Sequence, residues 1–279
     1  MGMMAEPAST TPLILVLALL GGCFGSFLNL VAWRLPRQES IVRPGSHCPH
    51  CGTRLGWGEN LPLLGWLLLR GRCRHCQRPI AGRYVLVEWL VAGLGVLTLF
   101  ARPGGLGPAP DPVLVVLAGW LLIGWLIPLA LVDIEQMWLP EPLCRWGLVC
   151  GLAVTAVVGG LQGSSSASRL VLEHLLAVAL GLLGFEATTA LASRLFGRPA
   201  LGLGDAMLAA LIGAWLGPLG LGLAVALAVI SGALLGVLGR LSGRLSRHQA
   251  IPFGPFLVLG TLGLWVLGPE PFLRLLALG

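Results

Sequence analysis

Val113-Leu114-Val115-Val116-Leu117-Ala118-Gly119-Trp120-Leu121-Leu122-Ile123-Gly124-Trp125-Leu126-Ile127-Pro128-Leu129-Ala130-Leu131-Val132 contains no charged residue and ends on Asp133. At a rise of about 1.5 Å per residue, a helix of this length matches the ~30 Å hydrocarbon of a bilayer. Similar runs recur along the chain. They cover about Pro12–Trp33, Tyr84–Ala101, Leu143–Gly160, Arg169–Leu195, Ala206–Gly217, Leu219–Leu238 and Ile251–Leu278. The runs are continuous rather than alternating, which excludes a strand barrel. The fold expected is an all-α polytopic membrane protein of about eight transmembrane helices. Composition agrees: 56% of the 279 residues are hydrophobic and 11% charged, against roughly 25% charged in soluble domains. The run Ala206–Gly217 is short for a crossing and stops at Pro218. His174, beside Glu173, reads as a membrane-interface residue.

All 18 basic residues are arginine, and the formal net charge is +6. Numbering the loops alternately puts 15 arginines on one side and Arg102, Arg169 and Arg274 on the other. The arginine-rich side is expected to be cytoplasmic, with both termini outside. No basic patch is interleaved with aromatics outside the membrane-flanking loops, so nucleic acid is not an expected partner; the lipid bilayer is. Met1–Thr11 has no basic residue and does not read as a cleaved signal peptide. By composition the chain divides into a first span (1–33), a cytoplasmic loop (34–83) and a core of about seven spans (84–279).

Asp133 closes the third run, and Gly202-Leu203-Gly204-Asp205 opens the sixth. The topology puts both aspartates at the same boundary and at similar depth. An acid at the edge of a span is costly and is a candidate for function. Two carboxylates side by side share a proton and titrate as one unit. Such a pair suits peptide hydrolysis, in which one member takes a proton from water and the other donates to the carbonyl oxygen. Glu135 and Glu141 read as solvated loop acids, and Glu88 and Glu186 as acids with structural partners. Two other readings use the same residues: a proton-coupled transporter with the acids as a relay, and a membrane scaffold whose cysteine loop docks a partner.

Cys48-Pro49-His50-Cys51 and Cys73-Arg74-His75-Cys76 have the spacing of a four-thiolate site. On a cytoplasmic loop, where disulfides are disfavoured, this pattern indicates structural Zn²⁺ rather than a redox pair or free thiols. Cys23, Cys144 and Cys150 lie in apolar runs and are assigned to packing.

Several blocks carry a family resemblance. They are Gly25-Ser26-Phe27-Leu28-Asn29 with Arg34-Leu35-Pro36, the cysteine loop from Ser46 to Ile80 with Glu59-Asn60-Leu61-Pro62, Asp133 with Leu139-Pro140, Gly202 to Asp205, and Ile251-Pro252-Phe253-Gly254-Pro255-Phe256. Together these resemble the bacterial prepilin peptidases over nearly the whole chain. The resemblance implies cleavage of a short basic leader from type IV prepilins and type II secretion pseudopilins at the cytoplasmic face of the inner membrane. It also implies methylation of the new N-terminus with S-adenosylmethionine as donor, and it carries the two catalytic aspartates to Asp133 and Asp205. Glu135 and Glu141 stand where members usually have aspartate, and Met207 where many have lysine. The resemblance assigns no residue to S-adenosylmethionine.

Overall fold

In a computed structural model, residues 11–107, 110–197, 202–246 and 249–276 are described. Arg198, Pro199, Arg247 and His248, which belong to the loops read above, lie outside them. The described residues are largely helical outside 38–82 and contain no strand, only isolated bridges between His47 and Arg54 and between Arg72 and Pro79. Among the described residues, six helices are long and apolar enough to cross a membrane. The contacts divide the chain into two compact units, Met1–Leu99 and Phe100–Gly279.

In the first unit, α1 (Thr11–Arg34) packs along α3 (Arg83–Leu97). The pairs run antiparallel: Gly21 against Ala92, Gly25 against Glu88, and Asn29 Nδ2 donating to the Tyr84 carbonyl at 3.1 Å. The two glycines, one turn apart, set the helix separation. A Cβ at Gly21 would stand 2.6 Å from Ala92 Cα, and one at Gly25 would stand 2.8 Å from Glu88 Cα. Small residues at this spacing allow close backbone approach in lipid, where apolar side chains gain nothing by leaving the solvent. Gly21→Ala is expected to destabilise the unit by about 1–3 kcal/mol, as overpacking does. Gly93→Ala, whose Cβ meets nothing within 4 Å, serves as the control in thermal unfolding in detergent. Equal stabilities for the two variants would refute this packing. The short α2 (Gly65–Leu68) lies in the segment between α1 and α3.

The second unit is built from α4 (Pro112–Gln136), α5 (Glu141–Gln162), α6 (Ser164–Phe196), α7 (Leu203–Leu241), α8 (Gly254–Leu267) and α9 (Glu270–Leu276). Asp111 caps α4, accepting from Val113 N–H at 2.8 Å. α7 packs against α5, α6 and α8, and α8 also packs against α4. α5 and α6 are joined by Gly163 alone, with φ 120°. Trp215 on α7 meets Trp265 on α8 edge-on, with centroids 6.0 Å apart, and donates Nε1–H to the Gly147 carbonyl on α5 at 3.0 Å.

The 39 residues of α7 are interrupted at Gly217, with φ 69° and ψ −174°. The left-handed φ suits glycine, and Pro218 then starts the next helical piece. Counted this way, seven of the eight expected runs occur as single helical pieces, while the eighth, Ile251–Leu278, divides at Gly268 (φ 76°) into α8 and α9, with 277 and 278 outside the described residues. Leu203–Leu216 and the 14-residue α8 each reach only about 21 Å, less than a straight crossing.

The break also explains His174. Pro218 has no N–H, so the Ala214 carbonyl loses its helical donor. His174 Nδ1, 3.1 Å away, and Thr155 Oγ1, at 3.3 Å, serve it instead. His174 is buried, so the expectation of an interface residue is corrected: it is a side-chain cap within the helix packing.

Candidate active site

Asp133 lies near the C-terminal end of α4 and is buried. Its Oδ2 accepts from the Gly254 N–H, at the start of α8, at 2.9 Å. Asp205 is half-buried in the first turn of α7. Its Oδ2 accepts from the Gly202 N–H at 2.9 Å, while the Gly202 carbonyl accepts from Asp205 N–H at 3.1 Å. This reciprocal cap fixes the carboxylate at the helix N-terminus, where orphan N–H groups favour negative charge. The two acids come from positions 72 residues apart in sequence (205 minus 133). In the fold their neighbourhoods touch: Gly204, beside Asp205, packs against Leu139, six residues past Asp133. In both carboxylates the bond falls on Oδ2, and Oδ1 has no partner among the described residues.

One residue of this site was not legible in the sequence. Gly254 stood in a recognisable block, but nothing local linked it to Asp133. A Cβ there would lie 2.6 Å from Asp133 Oδ2, so any side chain would force the carboxylate or the backbone to shift. Cys144, assigned to packing, is buried in α5. Leu139 also closes on the site: a Cβ at Gly204 would come within 2.8 Å of Leu139 Cβ. The other acids lie elsewhere. Glu135 and Glu186 are exposed, Glu141 pairs with Arg145, and Glu88 in the first unit accepts from Leu63 N–H at 2.8 Å.

In the first unit, Cys48, Cys51, Cys73 and Cys76 gather with all four Sγ atoms within 4.8 Å of one another. Two matching knuckles bring them there. Cys48 N–H donates to the Thr53 carbonyl and Cys73 N–H to the Arg78 carbonyl, each at 2.9 Å. Gly52 (φ 70°) and Gln77 (φ 58°) turn the chain directly after the second thiol of each pair. The pairs Cys48–Cys76 and Cys51–Cys73 are 3.8 and 3.9 Å apart. Tetrahedral zinc with Zn–S of about 2.3 Å has an S–S edge of roughly 3.8 Å, so the four thiols fit Zn²⁺. With no fifth group in the cluster, the metal would have a closed shell and a structural role.

The thiols differ in the absence of metal. Hydrogen bonds from the side chain and backbone of Thr53 hold Cys51 down to about 6. The N–H groups of Cys76 and His75 lower Cys73. The Arg78 N–H pulls on Cys76, but burial and the neighbouring thiols outweigh it and push this thiol up to about 11. A thiol held low in the folded loop contributes stability above its unfolded value and loses it as pH falls through about 6. The chain is expected to carry one zinc, which is lost in Cys48→Ser or Cys73→Ser. After chelation near neutral pH, alkylation should reach Cys51 before Cys76, because the thiolate is the nucleophile. Labelling of Cys76 first, read by peptide mass, would contradict the assignment.

Comparison with known proteins agrees with this architecture. Residues 19–102 match the Bacterial Peptidase A24 N-terminal domain, and residues 120–237 match the Type IV leader peptidase family. A Prepilin leader peptidase/N-methyltransferase of Myxococcus xanthus is 41% identical over 75% of this chain and 58% of its own length. The Type 4 prepilin-like proteins leader peptide-processing enzyme of Escherichia coli O78:H11 is 35% identical over 88% of this chain and 91% of its own. A Prepilin leader peptidase/N-methyltransferase of Dickeya chrysanthemi is 36% identical over 92% and 94%. No solved structure matches the chain. With more than nine-tenths of two such relatives covered at over 30% identity, the chain belongs to the type IV leader peptidase family.

Proposed function

We propose that the protein is a membrane aspartic endopeptidase that removes the leader of type IV prepilins and type II secretion pseudopilins, with Asp133 and Asp205 as its catalytic pair. What supports this reading is that two carboxylates, one near the end of α4 and one at the start of α7, are each held through Oδ2 by a glycine N–H, while Gly204 beside Asp205 closes on Leu139 just after α4. One member holds a proton while the other is ionised. The ionised carboxylate takes a proton from water, which attacks the scissile carbonyl. The protonated carboxylate donates to the carbonyl oxygen; the partner then passes the proton it took from water to the departing amine, and the first recovers a proton as the diol collapses. The backbone N–H bonds orient both side chains without consuming Oδ1.

The printed names of the relatives support the substrate class and a second activity, N-methylation of the new N-terminus. S-adenosylmethionine would supply the methyl group, and no residue is assigned to hold it. The arginine balance of 15 against three supports a cytoplasmic active face in the inner membrane. A basic leader would be drawn to the acids at that face. The direct test is to incubate the purified, zinc-loaded protein with a prepilin, with and without S-adenosylmethionine, and weigh the product. Loss of the leader mass is expected in both samples and one added methyl only with the donor. An unchanged prepilin mass in both would refute the peptidase reading.

A further inference from the structure

The segment joining α1 to α3 is not simply a loop in water. Leu61-Pro62-Leu63-Leu64-Gly65-Trp66-Leu67-Leu68-Leu69 carries no charge. Leu63 packs on Gly22, where a Cβ would come within 2.8 Å of its Cγ. With φ 67°, Leu63 also directs its N–H to Glu88 Oε2 at 2.8 Å, in a buried bond. Gly22 stands twelve residues before Arg34, about 18 Å along α1, and Glu88 stands five residues past Arg83, about 7 Å along α3. Both helices belong to candidate spans. Leu63 is therefore docked against the apolar bodies of the two spans, inside their arginine-bearing ends.

The rest of the segment faces outward. Leu64 and Leu68 are 49% and 71% exposed. Leu68 and Leu69 also line a cleft of about 550 Å³ together with Arg54, Trp57, Glu59, Arg74 and His75, and Glu59 turns its Oε2 to the Gly56 N–H at 2.7 Å. Trp57 is 99% exposed, and neither arginine pairs with an acid among the described residues. From 34 to 83 there are nine arginines against Glu39 and Glu59. Exposed leucines anchored at span depth, next to free arginines and an exposed tryptophan, match a lipid leaflet. Acyl chains cover the apolar side chains, tryptophan sits at headgroup level, and arginine attracts anionic phosphate.

We propose that the limb Leu61–Leu69 is seated in the leaflet around α1 and α3, and that the adjoining cleft takes the phosphate of an anionic phospholipid on Arg54 and Arg74. The four-thiol knuckles are thereby held at the membrane surface. The test uses the full chain, loaded with zinc, in nanodiscs of phosphatidylglycerol and phosphatidylcholine. A diazirine analogue of leucine is placed at position 64 or 68, with position 15 on α1 as lipid reference and position 77 as water reference. After illumination, mass spectrometry should find phospholipid adducts at 64 and 68, as at 15, and water adducts at 77. Adducts at 68 should be enriched in phosphatidylglycerol over its share of the lipid, and Arg54→Gln with Arg74→Gln should abolish the enrichment while zinc is kept. Water-only adducts at 64 and 68 would overturn the seating. Lipid adducts at the bulk ratio, or enrichment that survives the double substitution, would overturn the headgroup site.

Discussion

Asp133→Asn and Asp205→Asn should each yield a folded, inserted protein that no longer trims prepilin, with rates lowered by roughly 10²–10⁴-fold, the range for loss of a general acid or base. Asparagine keeps the shape of aspartate, and its carbonyl oxygen can still accept the N–H of Gly254 or Gly202. The substitution removes the charge and the exchangeable proton but not the bond that positions the side chain. Neither half of the pair can do the work of both, so each single variant should be as inactive as the double. Zinc content and thermal midpoint, measured alongside, establish that the fold is retained. Glu135→Gln and Glu141→Gln should keep the wild-type kcat, because the first acid is exposed and the second is paired with Arg145, and any loss should fall on KM through a weaker pull on the basic leader. Full trimming by either aspartate variant would end the dyad mechanism.

Gly254→Ala is expected to lower cleavage by about 10²-fold, the scale of a misplacement of about 1 Å at a reacting group. The added methyl falls 2.6 Å from Asp133 Oδ2, the atom that now accepts the Gly254 N–H at 2.9 Å. Either the carboxylate swings away or the start of α8 retreats, and the backbone bond is lost in both cases. Pro255 within the first turn and Phe253, whose ring lies 6.4 Å from that of Phe185, limit how far the backbone can yield. Gly232→Ala provides the comparison: its Cβ would find Phe256 at an ordinary 3.5 Å, and activity should persist. Cleavage by Gly254→Ala at the wild-type rate, measured on the same prepilin, would show that this N–H does not position Asp133.

The legible parts of the protein were those that depend on local pattern. Apolar runs of bilayer length can only be helices in lipid, because every backbone N–H and C=O must be satisfied within the segment. Two Cys-x-x-Cys turns are built by short-range bonds, such as Cys48 N–H to Thr53 and Cys73 N–H to Arg78, so their spacing alone announces four converging thiols. The two aspartates could be picked out because an acid is expensive at the end of an apolar run. His174 was misread for the opposite reason. Its partner is a carbonyl orphaned by Pro218, 44 residues further on (218 minus 174), and no local pattern shows which side chain will fill such a vacancy.

By itself, the amino-acid sequence determined a helical membrane protein with a thiol cluster and two candidate acids, since each follows from the cost of burying polar groups or from bonds within a few residues. Only the tertiary structure decided that Gly254 holds Asp133, that His174 caps the break in α7, and that Leu63 docks on Gly22 and Glu88. These depend on contacts between elements remote in the chain. Their identity is set by how the helices pack, and apolar side chains that all look alike to lipid leave that packing unspecified until small residues and single hydrogen bonds select it.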